Sequence, residues 1–143
     1  MAGSAASAAY LVEQAIDQRL LANRYDDLVL WGGLIAREPR RQRLLGLAIH
    51  WCVGLSLAAA FDSLEPVLPS LPRPVRSVAF VQMENTALFP LVALINPLHP
   101  AVRRGQLPSL WTWRYFWLEA VRHLAYGLVL GLFPATPARK VPE

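Results

Sequence analysis

Most of the residues in this chain that could do chemistry sit inside apolar stretches at helical spacing. Glu119, Arg122 and His123 fall at i, i+3 and i+4, so one side of a helix carries all three. Glu84 and Asn85 lie inside a second apolar stretch and His50 inside a third. Ionisable groups in an apolar helix cost about 2.5–3.5 kcal/mol each on insertion scales, so they need partners or a task. Glu84, Asn85, Glu119 and Arg122 read either as a neutralised polar lock that fixes helix register or as part of a proton or ion path. The lock is favoured, because a path would show a longer series of carboxylates. Along ideal helices Glu84 lies about 8 Å deeper than Arg122, a gap that a long arginine side chain largely closes, so the two are expected to pair.

The histidines have a second reading. Gly46, His50, Gly54 and Ala58 recur at spacing four, as do Glu119, His123, Gly127 and Gly131, and each stripe sets a His in a groove of small residues. The two depths differ by only about 3 Å at helical rise. Two neutral imidazoles at matching depth on facing helices could ligate a haem or a chlorophyll-type pigment, with glycines admitting the flat macrocycle. The plainer reading, and the stronger, is that Gly46, Gly54, Gly127 and Gly131 permit close helix packing while each His hydrogen-bonds across an interface.

Other reactive types carry less. Asp26 and Asp27 could hold a cation or receive an arginine from the 103–114 region, but two acids before an apolar run more often mark a helix N-terminus. No metal site is expected. His99, in a Leu-His-Pro turn, is expected to be solvated or interfacial, and the single Cys52 lies in an apolar helix as an unreactive thiol. No nucleophile elbow, zinc-protease helix, phosphate loop or dinucleotide fingerprint occurs, so a non-enzymatic role is expected.

The elements that must position these residues are membrane-like. Among 143 residues 55% are hydrophobic and only 17% charged, more apolar surface than a soluble core of this size can hide. The stretches 44–61, 77–96 and 110–133 can each cross, or nearly cross, a hydrocarbon layer of roughly 30 Å. Residues 3–22 form a further helix with Ala5, Ala9, Glu13 and Asp17 on one stripe, which either spans with that stripe turned inward, the favoured reading, or lies at the interface. The segment 23–43 carries Trp31, Gly32 and Gly33 in an apolar run too short to span, which suits an interfacial or re-entrant turn. Four prolines between 66 and 74 make an exposed connector, and Pro90 predicts a kink within the third long helix. The N-terminus lacks the basic and apolar regions of a cleaved secretory signal and is expected to be retained.

The expected fold is thus all-α: one integral membrane helical bundle, with helices at about 3–22, 44–61, 75–96 and 110–133. Nine arginines, at 19, 24, 37, 40, 41, 43, 103, 104 and 114, collect on one side, against Arg73, Arg76, Arg139 and Lys140 on the other. The positive-inside rule then puts the loops 23–43 and 97–110 in the cytoplasm and the C-terminus outside. The net charge of +4 follows this topology, not a nucleic-acid footprint.

The runs N-R-Y-D-D-L (23–28), H-W-x-x-G (50–54), Q-M-E-N-T-x-x-x-P (82–90), L-H-P-A-V-R-R-G (98–105) and R-H (122–123) resemble small uncharacterised multi-pass membrane proteins of bacteria. The resemblance implies a helical membrane fold over most of the chain and carries no activity. A prokaryotic plasma membrane is the expected location. The expected partners are the lipid bilayer and other membrane subunits or a second copy of the chain, with Trp31, Trp51, Trp111, Trp113 and Trp117 as interfacial anchors. The leading function is a structural or accessory membrane subunit. The alternatives are a pigment- or haem-binding protein using His50 and His123, and a small transporter or ion path using Glu84 and Glu119.

Overall fold

Local signals in the sequence set where each helix begins. In the computed structural model, which describes residues 1–134, the Glu38 carboxylate accepts from the Arg40 and Arg41 amides and Pro39 occupies the first turn, starting a long helix there. Asp26 caps a short helix by accepting from Leu28 and Val29, and Thr112 caps the last helix by accepting from Tyr115. The order is α1 (Ala2–Leu20), α2 (Asp27–Gly33), α3 (Pro39–Leu64, continued by a 3-10 turn Glu65–Val67), α4 (Arg73–Ile95), α5 (Pro100–Arg103) and α6 (Trp113–Leu132). Among the described residues there is no strand.

Several boundaries differ from expectation for these reasons. The Glu38 cap starts α3 five residues before the apolar run at 44, and the Thr112 cap starts α6 after 110. The segment around Trp31 is a capped helix, α2, and not an irregular turn. Helix α4 continues through Pro90 as one element and is not divided there. The stripe Ala5, Ala9, Glu13, Asp17 is not the buried face of α1; that face runs through Gly3, Ser7, Tyr10, Gln14 and Asp17, rotated so that only Asp17 is common. The expected external placement of Arg139 and Lys140 lies outside the described residues.

Four long helices pack in the spatial order α3, α1, α6, α4, so the first and last helices form the central pair. The helix α2 lies along α3, whereas α3 and α4 barely touch although they are consecutive. Small residues allow the close approaches. A Cβ on Gly127 would sit 2.8 Å from Val78 Cα, one on Gly131 would run into Pro74, one on Gly54 into the Ser7 hydroxyl, and one on Gly46 into the Leu28 backbone. The first two join α6 to α4, the third joins α3 to α1, and the last seats α2. The α3–α4 connector is held by Arg73, which pairs with Asp62 at 2.6 Å and with Glu65, and by Arg76, 2.7 Å from Glu65.

The stretch Pro39–Val67 and helix α4 are each long and apolar enough to cross a membrane. Helix α6 carries Glu119, Arg122 and His123 among its apolar residues. All three point inward, while Trp117, Val121, Leu124, Leu128 and Leu132 face out. On α1 the exposed residues include Val12, Ile16 and Leu20.

Candidate functional site

Arg122 is the centre of the interior. Its side chain is fully buried, and Nε and Nη2 donate to the two carboxylate oxygens of Asp17 at 2.8 and 3.1 Å. This two-pronged geometry suits guanidinium and carboxylate. Nη1 donates to Gln14 Oε1 at 3.1 Å and to Glu119 Oε1 at 3.2 Å, and Nη2 also reaches the Tyr25 carbonyl at 3.4 Å. The Tyr25 ring lies beneath the guanidinium, 4.6 Å from Cζ to centroid. Glu13, flanking Asp17 on α1, stands 3.7 Å from Nε. Arg122 thus joins α1, α6 and the 21–26 connector.

The expected pair of Arg122 with Glu84 does not form. Arg122 turns toward α1, and Glu84 instead meets His123, whose Nε2 lies 3.2 Å from Glu84 Oε2. Helical rise fixes the position of a residue along the helix axis but not its direction around it, and α6 presents Arg122 to α1 and His123 to α4. His123 Nδ1 donates to the Glu119 carbonyl at 2.8 Å.

A second polar pair joins α2 to α3. His50 Nδ1 lies 2.8 Å from Asp27 Oδ2, and Nε2 donates to the Ser7 carbonyl of α1 at 3.2 Å. A carbonyl only accepts, so Nε2 carries a hydrogen and one further proton lies between His50 Nδ1 and Asp27 Oδ2. Tyr25 donates to Asp27 Oδ1 at 3.3 Å. Burial is the main reason that the Tyr25 hydroxyl is pushed well above its ordinary range, which keeps it a donor.

His50 and His123 do not form a bis-imidazole site. Every ring nitrogen of both residues has a protein oxygen within 3.2 Å, and the Tyr10 ring occupies the space between them, 4.9 Å from the His50 centroid and 5.5 Å from that of His123. Tyr10 also donates to Glu119 Oε2 at 2.8 Å, so it is fixed in that place. A macrocycle would have to displace a ring that closes the hydrogen-bond network. Among the described residues no group of His, Cys, Asp and Glu is arranged to hold a metal ion. Asp26 instead caps α2 and pairs with Arg43 at 3.2 Å.

Two further placements differ from expectation. His99 is neither solvated nor interfacial: it is 2% exposed, Nε2 donates to the Leu30 carbonyl at 2.9 Å, and Nδ1 accepts from the Ala101 amide at 3.2 Å. Gly46 packs against the short α2 and not against a long helix, while Gly54, Gly127 and Gly131 do seat helix against helix. Cys52 is on the exposed face of α3. Sequence reasoning missed Tyr10 and Gln14 as network members. Their signal was their spacing from Asp17, at i−7 and i−3, on the same side of α1.

The network borders a cleft of about 370 Å³ where α3 and α4 diverge. Its inner wall carries Asp27, His50, Tyr10, Glu119, His123 and Glu84, and its mouth is apolar, with Leu57 on α3 and Leu88 and Leu91 on α4. Fold and interior together define an all-helical protein with a charged, hydrogen-bonded centre and two helices able to cross a membrane. No protein-family model, curated protein or solved structure matches the chain.

Proposed function

We propose that this chain is a small multi-pass integral membrane protein in which α1, α3, α4 and α6 all cross the bilayer. Its role is that of a non-enzymatic structural or accessory subunit in a prokaryotic plasma membrane. The observation that carries the reading is the inverted distribution of polarity. Arg122, Glu119, Asp17, Asp27 and His50 are inside, while large aliphatic and aromatic side chains cover the outside, from Val12 and Ile16 to Leu94 and Leu132. Water would reward the opposite arrangement; hydrocarbon rewards this one. In this reading the Arg122 network is a lock that holds the central helix pair where apolar burial cannot supply the driving force.

Topology is tested with single cysteines in a Cys52→Ala background, using an impermeant maleimide on sealed vesicles. Arg37→Cys and Arg104→Cys should react from the cytoplasmic side and Ser70→Cys from the other, and all three reacting from one side would refute the multi-pass arrangement. The accessory role is tested by the native mass in mild detergent. Added protein mass supports it, and a bare single chain counts against it.

An ion path is the second reading, favoured by the contiguity of Glu84, His123 and Glu119 at the cleft wall. It requires Glu84→Gln to abolish proton flux in proteoliposomes while the helical content is retained. Flux that is equal in wild type and variant removes it.

A further inference from the structure

Three arginines that are distant in sequence share one pocket. A hollow of about 560 Å³ lies between the α2–α3 connector and α5, lined by Arg37 from the first, by Pro100, Arg103 and Arg104 from the second, and by Leu98 beside them. Its two walls are tied together beneath the surface. Gln42, 1% exposed, donates through Nε2 to the Ala36 carbonyl at 3.1 Å and to Gln106 Oε1 at 3.2 Å, and the same Gln106 oxygen accepts from Arg104 Nε at 3.1 Å. Ala36 precedes Arg37, so one buried amide sets the spacing of the two segments that carry the arginines. Among the described residues none of Arg37, Arg103 and Arg104 pairs with a carboxylate, whereas Arg43, Arg73, Arg76 and Arg122 all do. Glu38, next to Arg37 in sequence, caps α3 and does not line the pocket. Three like charges gathered in one hollow repel one another, and an anion relieves that repulsion.

Guanidinium forks match phosphate oxygens two at a time. The surroundings specify what carries the phosphate. Exposed Leu34 and Ile35 precede Arg37, and exposed Leu94, Ile95 and Leu98 lead from the end of the membrane-length α4 to the pocket. A free ion gains nothing from these aliphatic side chains, whereas an acyl chain is covered by them. We propose that the pocket binds the phosphate headgroup of an anionic phospholipid, whose acyl chains lie along the exposed end of α4. Basic pockets at the cytoplasmic ends of membrane helices suit such headgroups. The inference rests on the membrane reading above.

The full chain is extracted in mild detergent, and its native mass is recorded while phosphatidylglycerol, phosphatidylcholine or inorganic phosphate is added. The expected result is one saturable phosphatidylglycerol per chain, held roughly tenfold tighter than either of the others. This comparison uses the wild-type chain and needs no variant to fold. Arg37→Gln and Arg103→Gln should each weaken phosphatidylglycerol binding roughly fivefold. Arg40→Gln with Arg41→Gln removes two charges of the same face that do not line the pocket, and should weaken it by less than about twofold. Equal losses in the two double variants would show diffuse attraction to the basic face and overturn the site, as would equal binding of the two lipids. Inorganic phosphate that matches phosphatidylglycerol assigns the pocket to the free ion and overturns the lipid. Solubility is scored first: a chain that stays in solution without detergent overturns the membrane reading and the site together, whereas a chain that needs detergent and does not select phosphatidylglycerol overturns the site alone.

Discussion

Replacing Arg122 by Met tests whether the interior network holds the bundle. The substitution keeps most of the apolar length and removes five hydrogen bonds, two of them to Asp17. It leaves Asp17, 3% exposed, without its cation, and Glu119, 6% exposed, with Tyr10 and His123 as partners. Breaking a buried pair by removing one member costs about 3–5 kcal/mol, chiefly because the remaining charge is stranded. Asp17→Leu should cost less than Arg122→Met, since Glu119 still faces Arg122 at 3.2 Å. The double variant strands fewer charges than the sum of the singles implies, so its loss should fall short of additivity by about 1–3 kcal/mol. The assay is reversible unfolding in mixed micelles, followed by helical circular dichroism. An Arg122→Met loss below about 1 kcal/mol, the worth of a solvated ion pair, would refute the argument that this network joins α1 to α6.

Further outcomes follow from local geometry. Gly131→Val and Gly46→Val should each cost about 1–3 kcal/mol in the same assay, because the new side chains meet the Pro74 and Leu28 backbones, which cannot rotate away. Gly105 has open space around its Cβ position but a φ of +69°, so Gly105→Ala should lose about 1 kcal/mol through backbone strain and Gly105→Asn less. Burial lowers the His99 pKa below its ordinary 6.5, so the unfolded chain takes up the proton first as pH falls. The His99 contribution is therefore complete above pH 6.5 and is lost as pH falls from there toward the lowered folded value. Melting curves between pH 8 and 5 should show a steeper acid loss for wild type than for His99→Gln, and parallel curves would remove His99 from the account.

Helix positions were legible where hydropathy marked them, but the starts set by the Glu38 and Thr112 caps were not, and the small-residue positions Gly54, Gly127 and Gly131 were legible as packing sites from spacing alone. The polar membership of α6 was also visible, since Glu119, Arg122 and His123 share a side at i, i+3 and i+4. What the pattern hid was direction. Arg122 and Asp17 are 105 residues apart, and nothing local says that α6 turns this arginine toward the first helix and its neighbouring histidine toward α4. The face of α1 was misplaced because its small residues are spread around the helix, so alanine spacing marked one stripe while Tyr10 and Gln14 occupied the buried one. Asp27 read as a helix-start acid because α2 was too short to suggest a tertiary partner, and its bond to His50 depends on α2 lying against Gly46.

The central pairing of α1 with α6 bears on the order of events during synthesis. Asp17 is made 105 residues before Arg122, so it must wait through α2, α3, α4 and α5 before its partner exists. Contacts of such separation close late and slowly. A ribosome that stalls or a chain that is cut before α6 leaves Asp17 and Gln14 without the guanidinium that satisfies them. An incomplete copy would then keep these polar groups unpaired, the state in which unfinished chains are recognised and degraded.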